Sequence, residues 1–239
     1  MGLTCDTTVR VTACTLSDAL AERLKRMLLR WACSECIRLS FERTEQLLPL
    51  KNEGAQLLFL DIDSIELPEQ GRPGRAGLIV ISRDAGRVLH SYRWHPAAFL
   101  KPDCDLRRLT EALAACEKHW RDARVCLDSP YQRRGFRIPL GRVRYVEASA
   151  HYAMFSQARQ AVRVRYAISE LEALLPDPPF VRCHRSYLVH LNNVADMSYT
   201  SLTLKDGTTL PLGRTYVKSL QYALQSWREE ETTHDDLDL

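Results

Sequence analysis

A dense group of polar side chains lies between apolar positions at residues 180–193, which read Phe-Val-Arg-Cys-His-Arg-Ser-Tyr-Leu-Val-His-Leu-Asn-Asn. Arginine presents several N–H donors in a fixed planar fork, and histidine can donate or accept a hydrogen bond. Both residue types are therefore suited to recognising anions or the polar edges of a ligand. Apolar and polar residues alternate before the block, at residues 162–166, and after it, at residues 202–207. This alternation predicts that short strands hold the block.

The basic residues are concentrated in the same half of the chain. The chain has a net charge of +3, whereas residues 121–228 hold 16 Lys and Arg against 8 Asp and Glu. Such a surplus suits a polyanionic partner, because Lys and Arg neutralise phosphates and release counterions. Taken by itself, however, the surplus favours a merely solvated basic face. Residues 229–239 are acidic and predict a disordered tail.

Residues 1–120 alternate between predicted strands and helices. The predicted strands are Val9–Ala13, Ile37–Phe41, Leu57–Leu60, Leu78–Ile81 and Ala97–Leu100. The predicted helices are Leu20–Trp31 with Ser17 as its N-cap, a weak one at Thr44–Leu50, and Asp105–Trp120. Continuous apolar runs are typical of buried parallel strands. This half is therefore predicted to be an α/β domain with a doubly wound parallel sheet, in which ligand sites lie at the carboxyl ends of the strands.

Three polar residues follow the predicted strands of this half. Asp61 follows the third strand, Ser82 the fourth, and Lys101 the fifth, within Phe-Leu-Lys-Pro. On these residues the first half resembles the receiver domain of response regulators. The resemblance implies that Asp61 is a phosphoacceptor, and that Ser82 and Lys101 contact the phosphate.

The acidic pair that binds Mg²⁺ in receivers has no counterpart here. Phosphoryl transfer needs a metal to neutralise charge on the transferring group, but the stretch after the first strand is Cys14-Thr15-Leu16-Ser17. We expect at most weak Mg²⁺ binding at Asp61 and no other cofactor or metal. The Pro- and Gly-rich residues 63–75 also predict that the helix after Asp61 is shortened or absent. A pseudo-receiver that is poorly phosphorylated, or not at all, is the favoured interpretation; a working receiver with unusual metal ligands is the alternative.

Residues 125–228 are predicted to form a second domain of mostly short strands, joined to residues 1–120 by a polar linker at 121–124. One helix is predicted around Ser169–Leu175, with Ser169 as its N-cap and Pro176 ending it. Asp206-Gly207 predicts a turn.

The order of motifs in this half resembles the LytTR DNA-binding domain of bacterial response regulators. The motifs that carry the resemblance are Ile138-Pro139-Leu140, Val143–Ala148, His151-Tyr152, Ile168–Leu175, Phe180–Val189, Leu202-Thr203-Leu204, Asp206-Gly207 and Leu210–Tyr216. His190 stands where the family usually has Asn, and Gly213 where Ser is common. The resemblance implies a mostly-β domain that contacts DNA through loops.

The same resemblance implies which residues contact DNA. His151, Arg185 and Arg214 fall at base-contacting positions, and arginine can donate two hydrogen bonds to O6 and N7 of guanine. Ser186 and Tyr187 are better suited to phosphates, which fix register without carrying sequence information. His184, inside the apolar block, is interpreted as structural.

The two halves together predict a cytoplasmic transcription regulator, not an enzyme, that binds double-stranded promoter DNA. The resemblance further implies a homodimer formed through the receiver-like domain, and a sensor kinase as partner if Asp61 is phosphorylated. Neither a signal peptide nor a membrane span is expected, so no membrane partner is predicted.

Eight cysteines, including the pair Cys33-x-x-Cys36, are interpreted as reduced and structural, with a redox or metal role as the alternative. A signalling or redox module that acts on a protein or small molecule without promoter binding is the competing function.

Overall fold

The computed structural model describes residues 3–4, 8–46, 56–65, 76–120, 126–129 and 136–232. The chain divides into two units. Cys5–Ala32 and Ile37–Arg124 make up the first, here called the α/β unit; Met1–Thr4, Cys33–Cys36 and Val125–Leu239 make up the second, here called the β unit. The predicted linker at 121–124 lies outside the described residues.

The described strands are β1 (Leu3–Thr4), β2 (Val9–Cys14), β3 (Leu39–Thr44), β4 (Leu57–Asp61), β5 (Gly77–Ile81), β6 (Ala98–Leu100), β7 (Cys126–Ser129), β8 (Phe136–Pro139), β9 (Val143–Ser149), β10 (Tyr152–Gln157), β11 (Ala161–Val164), β12 (Phe180–His184), β13 (Tyr187–His190), β14 (Val194–Met197), β15 (Ser201–Leu204) and β16 (Thr209–Pro211). The described α-helices are α1 (Asp18–Ser34), α2 (Ala85–Ser91), α3 (Leu106–Ala115), α4 (Ile168–Leu174) and α5 (Val217–Thr232). No helix within the described residues is both long and apolar enough to cross a membrane.

The α/β unit contains one parallel sheet in the order β3-β2-β4-β5-β6. Counted along this unit the order is 2-1-3-4-5, a common order of doubly wound folds. Every residue of β4 and β5 is buried. Leu24, Leu28 and Trp31 of α1 pack in the cluster that covers one face, and Trp94 packs in the cluster on the other. The predicted α/β doubly wound parallel sheet is therefore confirmed.

Several element limits in this unit differ from the predictions. The strand predicted from Ile37 begins at Leu39, because the Ile37 N–H still donates to the Ala32 carbonyl at 2.8 Å and closes the end of α1. The helix predicted to reach Trp120 ends at Ala115 and continues as the 3-10 turn Glu117–His119.

Two further predictions in this unit fall wholly or largely outside the described residues. Thr44 of the predicted 44–50 helix lies in β3, and residues 47–50 are outside. The predicted loss of a helix after Asp61 concerns residues that are mostly outside as well.

The β unit is built on a five-stranded antiparallel sheet in the order β11-β10-β9-β13-β12. Neighbouring residues point to opposite faces of a strand. Val146 and Leu188, which pair across β9 and β13, belong to one buried cluster, whereas Val189 belongs to the other, with Leu220 of α5. The described residues also form two three-stranded sheets, β1-β7-β8 and β14-β15-β16. The prediction of a mostly-β second domain is confirmed.

Two helices of this unit correct the predictions. Ser169 is not the N-cap of α4: the cap is Ala167, whose N–H donates to the Glu170 carboxylate at 2.9 Å. Helix α5 was not predicted. It runs to Thr232, so the acidic stretch that begins at residue 229 starts as helix, and residues 233–239 lie outside the described part of the chain.

Candidate nucleic-acid interface and strand-end site

Two turns that carry predicted DNA-contacting residues lie at one end of the five-stranded sheet. His151 follows Ala150 in the two-residue turn between β9 and β10, where Ser149 pairs with Tyr152. Arg185 follows His184 in the turn between β12 and β13. The Ala148 N–H donates to the Ser186 carbonyl at 2.8 Å and joins the end of β9 to the second turn. The two turns are therefore neighbours.

A third loop, which contains Arg214, reaches the same end of the sheet. The Gly213 N–H donates to the carbonyl of Cys183, near the end of β12, at 2.9 Å. A Cβ atom at Gly213 would come within 3.0 Å of the Tyr216 ring, so any side chain at this position requires that ring to shift. The structure thus brings His151, Arg185 and Arg214, all of them exposed, to one end of the sheet.

Two other side chains of the block are held by contacts within the protein. The His184 Nδ1 accepts a hydrogen bond from the Ser186 N–H at 3.2 Å, which braces the turn. The Tyr187 hydroxyl donates to Glu147 Oε1 at 2.7 Å, and this bond, with burial as a lesser cause, raises the pKa of Tyr187 to about 12. Glu147, which sequence reasoning missed, pairs with Tyr187 across the sheet. The Tyr187 hydroxyl has one proton, so it can donate to a phosphate only if its hydrogen bond to Glu147 breaks. The phosphate contact of Tyr187 stays a prediction.

In the α/β unit, the three predicted receiver residues lie at the carboxyl edge of the parallel sheet. Asp61 ends β4, Ser82 follows β5, and Lys101 follows β6. Asp61 is 5% exposed. The hydroxyls of Thr15 and Ser64 each donate to Asp61 Oδ2 at 2.6 Å, and the Asp63 N–H donates to Oδ1 at 3.2 Å. The carboxylate of Asp61 is thus enclosed by donors from its own unit.

The Ser82 hydroxyl is hydrogen-bonded to Asp63 and not to Asp61. It donates to Asp63 Oδ1 at 2.6 Å, and the Arg83 N–H donates to Asp63 Oδ2 at 2.8 Å. The Arg87 guanidinium donates to the Ile62 carbonyl at 2.6 Å, one residue beyond Asp61. Asp63 therefore turns its carboxylate to Ser82 and not to Asp61.

The side chains around Asp61 fit a divalent cation poorly. Mg²⁺ needs lone pairs from carboxylates, carbonyls or water in an octahedral arrangement, whereas Thr15 and Ser64 direct their hydroxyl protons at Asp61. Among the described residues, no group of three or more His, Cys, Asp and Glu side chains could hold a metal ion. Thr15 therefore supplies a hydrogen bond to Asp61 and no carboxylate ligand for a metal.

Burial makes five of the cysteine side chains poor nucleophiles. It raises the pKa of the Cys14, Cys104 and Cys116 thiols to about 11 and that of Cys183 to about 12. It also raises the pKa of Cys36, the second member of the Cys-x-x-Cys pair. A thiol must lose its proton to react or to bind a metal, so these residues favour the structural interpretation.

Part of the β unit matches a known protein family. Residues 133–225 match the family model described as the LytTr DNA-binding domain. The sensory transduction protein LytT of Bacillus subtilis (strain 168) is 35% identical over 68 residues, which are 25% of this chain and 28% of that protein. The transcriptional regulatory protein BtsR of Escherichia coli (strain K12) is 39% identical over 59 residues, which are 23% of this chain and 25% of that protein. The match thus spans about a quarter of the length of these relatives.

Two solved structures resemble parts of the chain. A LytTr DNA-binding domain of a putative methyl-accepting/DNA response regulator from Bacillus cereus has a TM-score of 0.37 and 26% identity, and covers 41% of this chain and 95% of that one. A CheY-like response regulator receiver domain from Methanospirillum hungatei JF-1 has a TM-score of 0.36 and 15% identity, and the match covers 47% of this chain and 97% of that one. At these TM-scores neither structure supports an argument about this chain, and the similarity rests on the family match at residues 133–225. The chain thus contains a region similar to LytTR DNA-binding domains, at residues 133–225, and an α/β unit with a doubly wound parallel sheet.

Proposed function

We propose that this protein is a transcription regulator that recognises specific promoter sequences through the β unit and is regulated through the α/β unit. The convergence of His151, Arg185 and Arg214 on one end of the sheet carries this proposal. Each arginine can donate two hydrogen bonds to the major-groove edge of guanine, and histidine can donate or accept at a base edge. Ser186 and Tyr187 lie next to Arg185, where phosphate contacts would fix the register on the duplex.

Salt dependence tests this function against the competing one. Binding to duplex DNA should weaken steeply as salt rises, because each neutralised phosphate releases counterions. A fluorescent duplex titrated with protein at several salt concentrations measures the slope. Absent or salt-insensitive binding by folded protein would contradict the proposal and favour a module that binds a protein or small molecule.

The α/β unit fits a pseudo-receiver that has kept the sheet and lost efficient phosphorylation. The hydroxyls of Thr15 and Ser64 already engage the nucleophilic carboxylate of Asp61, and Asp63 engages Ser82. Such a unit can still join two copies, so we propose a homodimer through it. A sensor kinase is a partner only if Asp61 reacts.

Treatment with acetyl phosphate and Mg²⁺ is expected to leave Asp61 unmodified, because phosphoryl transfer needs a metal to neutralise charge and the hydroxyl protons of Thr15 and Ser64 face the carboxylate that would bind it. Intact-mass spectrometry of the full chain measures the adduct, and Asp61→Asn is the matched control. A stoichiometric adduct on wild type that disappears in Asp61→Asn would overturn the pseudo-receiver interpretation.

A further inference from the structure

We infer that Arg182 is a positioning residue that holds the two DNA-reading arginines, Arg185 and Arg214, at a fixed spacing. The inference deepens the proposed function and rests on it. Arg182 lies on β12, three residues before Arg185, the first residue of the turn between β12 and β13.

The guanidinium of Arg182 fixes the turn that carries Arg185. Its Nε donates to the His184 carbonyl at 2.7 Å, and its Nη2 donates to the Arg185 carbonyl at 2.6 Å. Its Nη1 donates to Glu172 Oε2 of α4 at 2.6 Å. Two successive carbonyls of the turn are thereby tied to one planar group, which is itself anchored to a helix.

The same guanidinium also lies against the loop that carries Arg214. Its Cζ is 6.0 Å from the centroid of the Tyr216 ring. The Tyr216 N–H donates to the Gly213 carbonyl at 2.9 Å and closes the turn around Arg214. Arg182 therefore contacts both loops, and a change in its position shifts one arginine relative to the other.

Arg182 is suited to positioning and not to contacting DNA. Its side chain is 12% exposed, and three of its nitrogen atoms point at acceptors within the unit. Lysine keeps the charge but has a single nitrogen on a flexible stem, so it cannot hold three acceptors in fixed directions. The substitution Arg182→Lys thus separates geometry from charge.

The test measures the affinity of the full chain for a selected duplex and for a scrambled duplex, in four proteins: wild type, Arg182→Lys, Arg185→Ala and the double variant. Arg182→Lys should weaken specific binding about tenfold, while scrambled-duplex binding and the salt slope stay unchanged. In the Arg185→Ala background the further loss should be clearly smaller, since coupled residues are not additive. Unchanged specificity, or the same loss in both backgrounds, would overturn the inference.

Hydrogen exchange distinguishes failure of this inference from failure of the proposed function. Backbone amides of residues 184–187 should exchange faster in Arg182→Lys, while those of β9 stay as slow as in wild type. Glu172→Gln, which retains an acceptor for Nη1, is the matched control and should leave exchange unchanged. If wild type shows no sequence preference but the turn amides of Arg182→Lys exchange faster than those of wild type, the proposed DNA recognition is wrong and the positioning role of Arg182 is supported. If the turn amides of Arg182→Lys exchange as slowly as those of wild type, the positioning role is wrong.

Discussion

Arg214→Ala is expected to weaken binding to a specific site by about 1–3 kcal/mol and to leave nonspecific binding nearly unchanged. Arg214 is exposed and follows Gly213, whose N–H is tied to β12. A guanidinium in this position can form a bidentate pair with guanine, and loss of that pair affects only the sequence that supplies the guanine.

Arg214→Lys is the matched control for this effect, because it keeps the charge and removes the planar fork. It should lose most of the specific affinity that Arg214→Ala loses, with an unchanged salt slope. Equal losses of Arg214→Ala on specific and nonspecific duplexes would show instead that Arg214 contacts phosphate.

Acidification is expected to destabilise the β unit through His190, which is 1% exposed. Its ring packs edge-on against Phe180, with ring centroids 4.9 Å apart. Nδ1 accepts from the Asn192 N–H at 3.3 Å, and Nε2 lies 3.1 Å from the carbonyl of Ser34, a residue of the same unit. These partners suit a neutral ring that carries its proton on Nε2.

Burial lowers the pKa of His190 from 6.5 to about 4. The unfolded chain therefore binds more protons than the folded protein between these two values, and stability falls as pH decreases through this window. Above pH 6.5 the ring is neutral in both states, so its titration does not lower the free energy of unfolding. Near pH 4 protonation of the unfolded chain has lowered that free energy by on the order of 3 kcal/mol.

Urea unfolding of wild type and His190→Asn at pH 7.0, 5.5 and 4.5 measures this contribution. Asparagine retains a polar side chain but does not titrate, so the variant should lose less stability between pH 7.0 and pH 4.5 than wild type. The difference between the two proteins removes the contribution of the other titrating groups. Parallel pH dependences would show that His190 is not the responsible group.

The α/β fold could be predicted because continuous apolar runs mark strands that are buried on both faces. The ends of those strands also located Asp61, Ser82 and Lys101. The hydrogen bonds of Asp61 with Thr15 and of Ser82 with Asp63 could not be predicted, since they depend on which loops meet at the edge of the sheet.

Helices α5 and α2 were both absent from the predicted elements, and the sequence indicates them to different degrees. Helix α5 carries Leu220, Leu224 and Trp227 at helical spacing, and this signal could have identified it. Helix α2 is short and leaves Leu89 70% exposed, so it has little apolar periodicity.

In the β unit, the motif indicated Arg185 and Arg214 as DNA-contacting residues. It did not predict that both lie at the same end of the sheet. That convergence depends on the bond between Gly213 and Cys183 and on the bonds that Arg182 makes to the turn. None of these partners is specified by residue spacing, because each requires the register of β12 against its neighbours.

Selection of bound sequences from a random duplex pool, with the full chain and the Arg185→Ala/Arg214→Ala variant in parallel, tests whether the protein recognises DNA sequence through these two arginines. We expect wild type to enrich a repeated motif and the double variant, although folded, not to enrich it. No enrichment by folded wild type at low and moderate salt, or the same motif recovered by the double variant, would contradict this expectation.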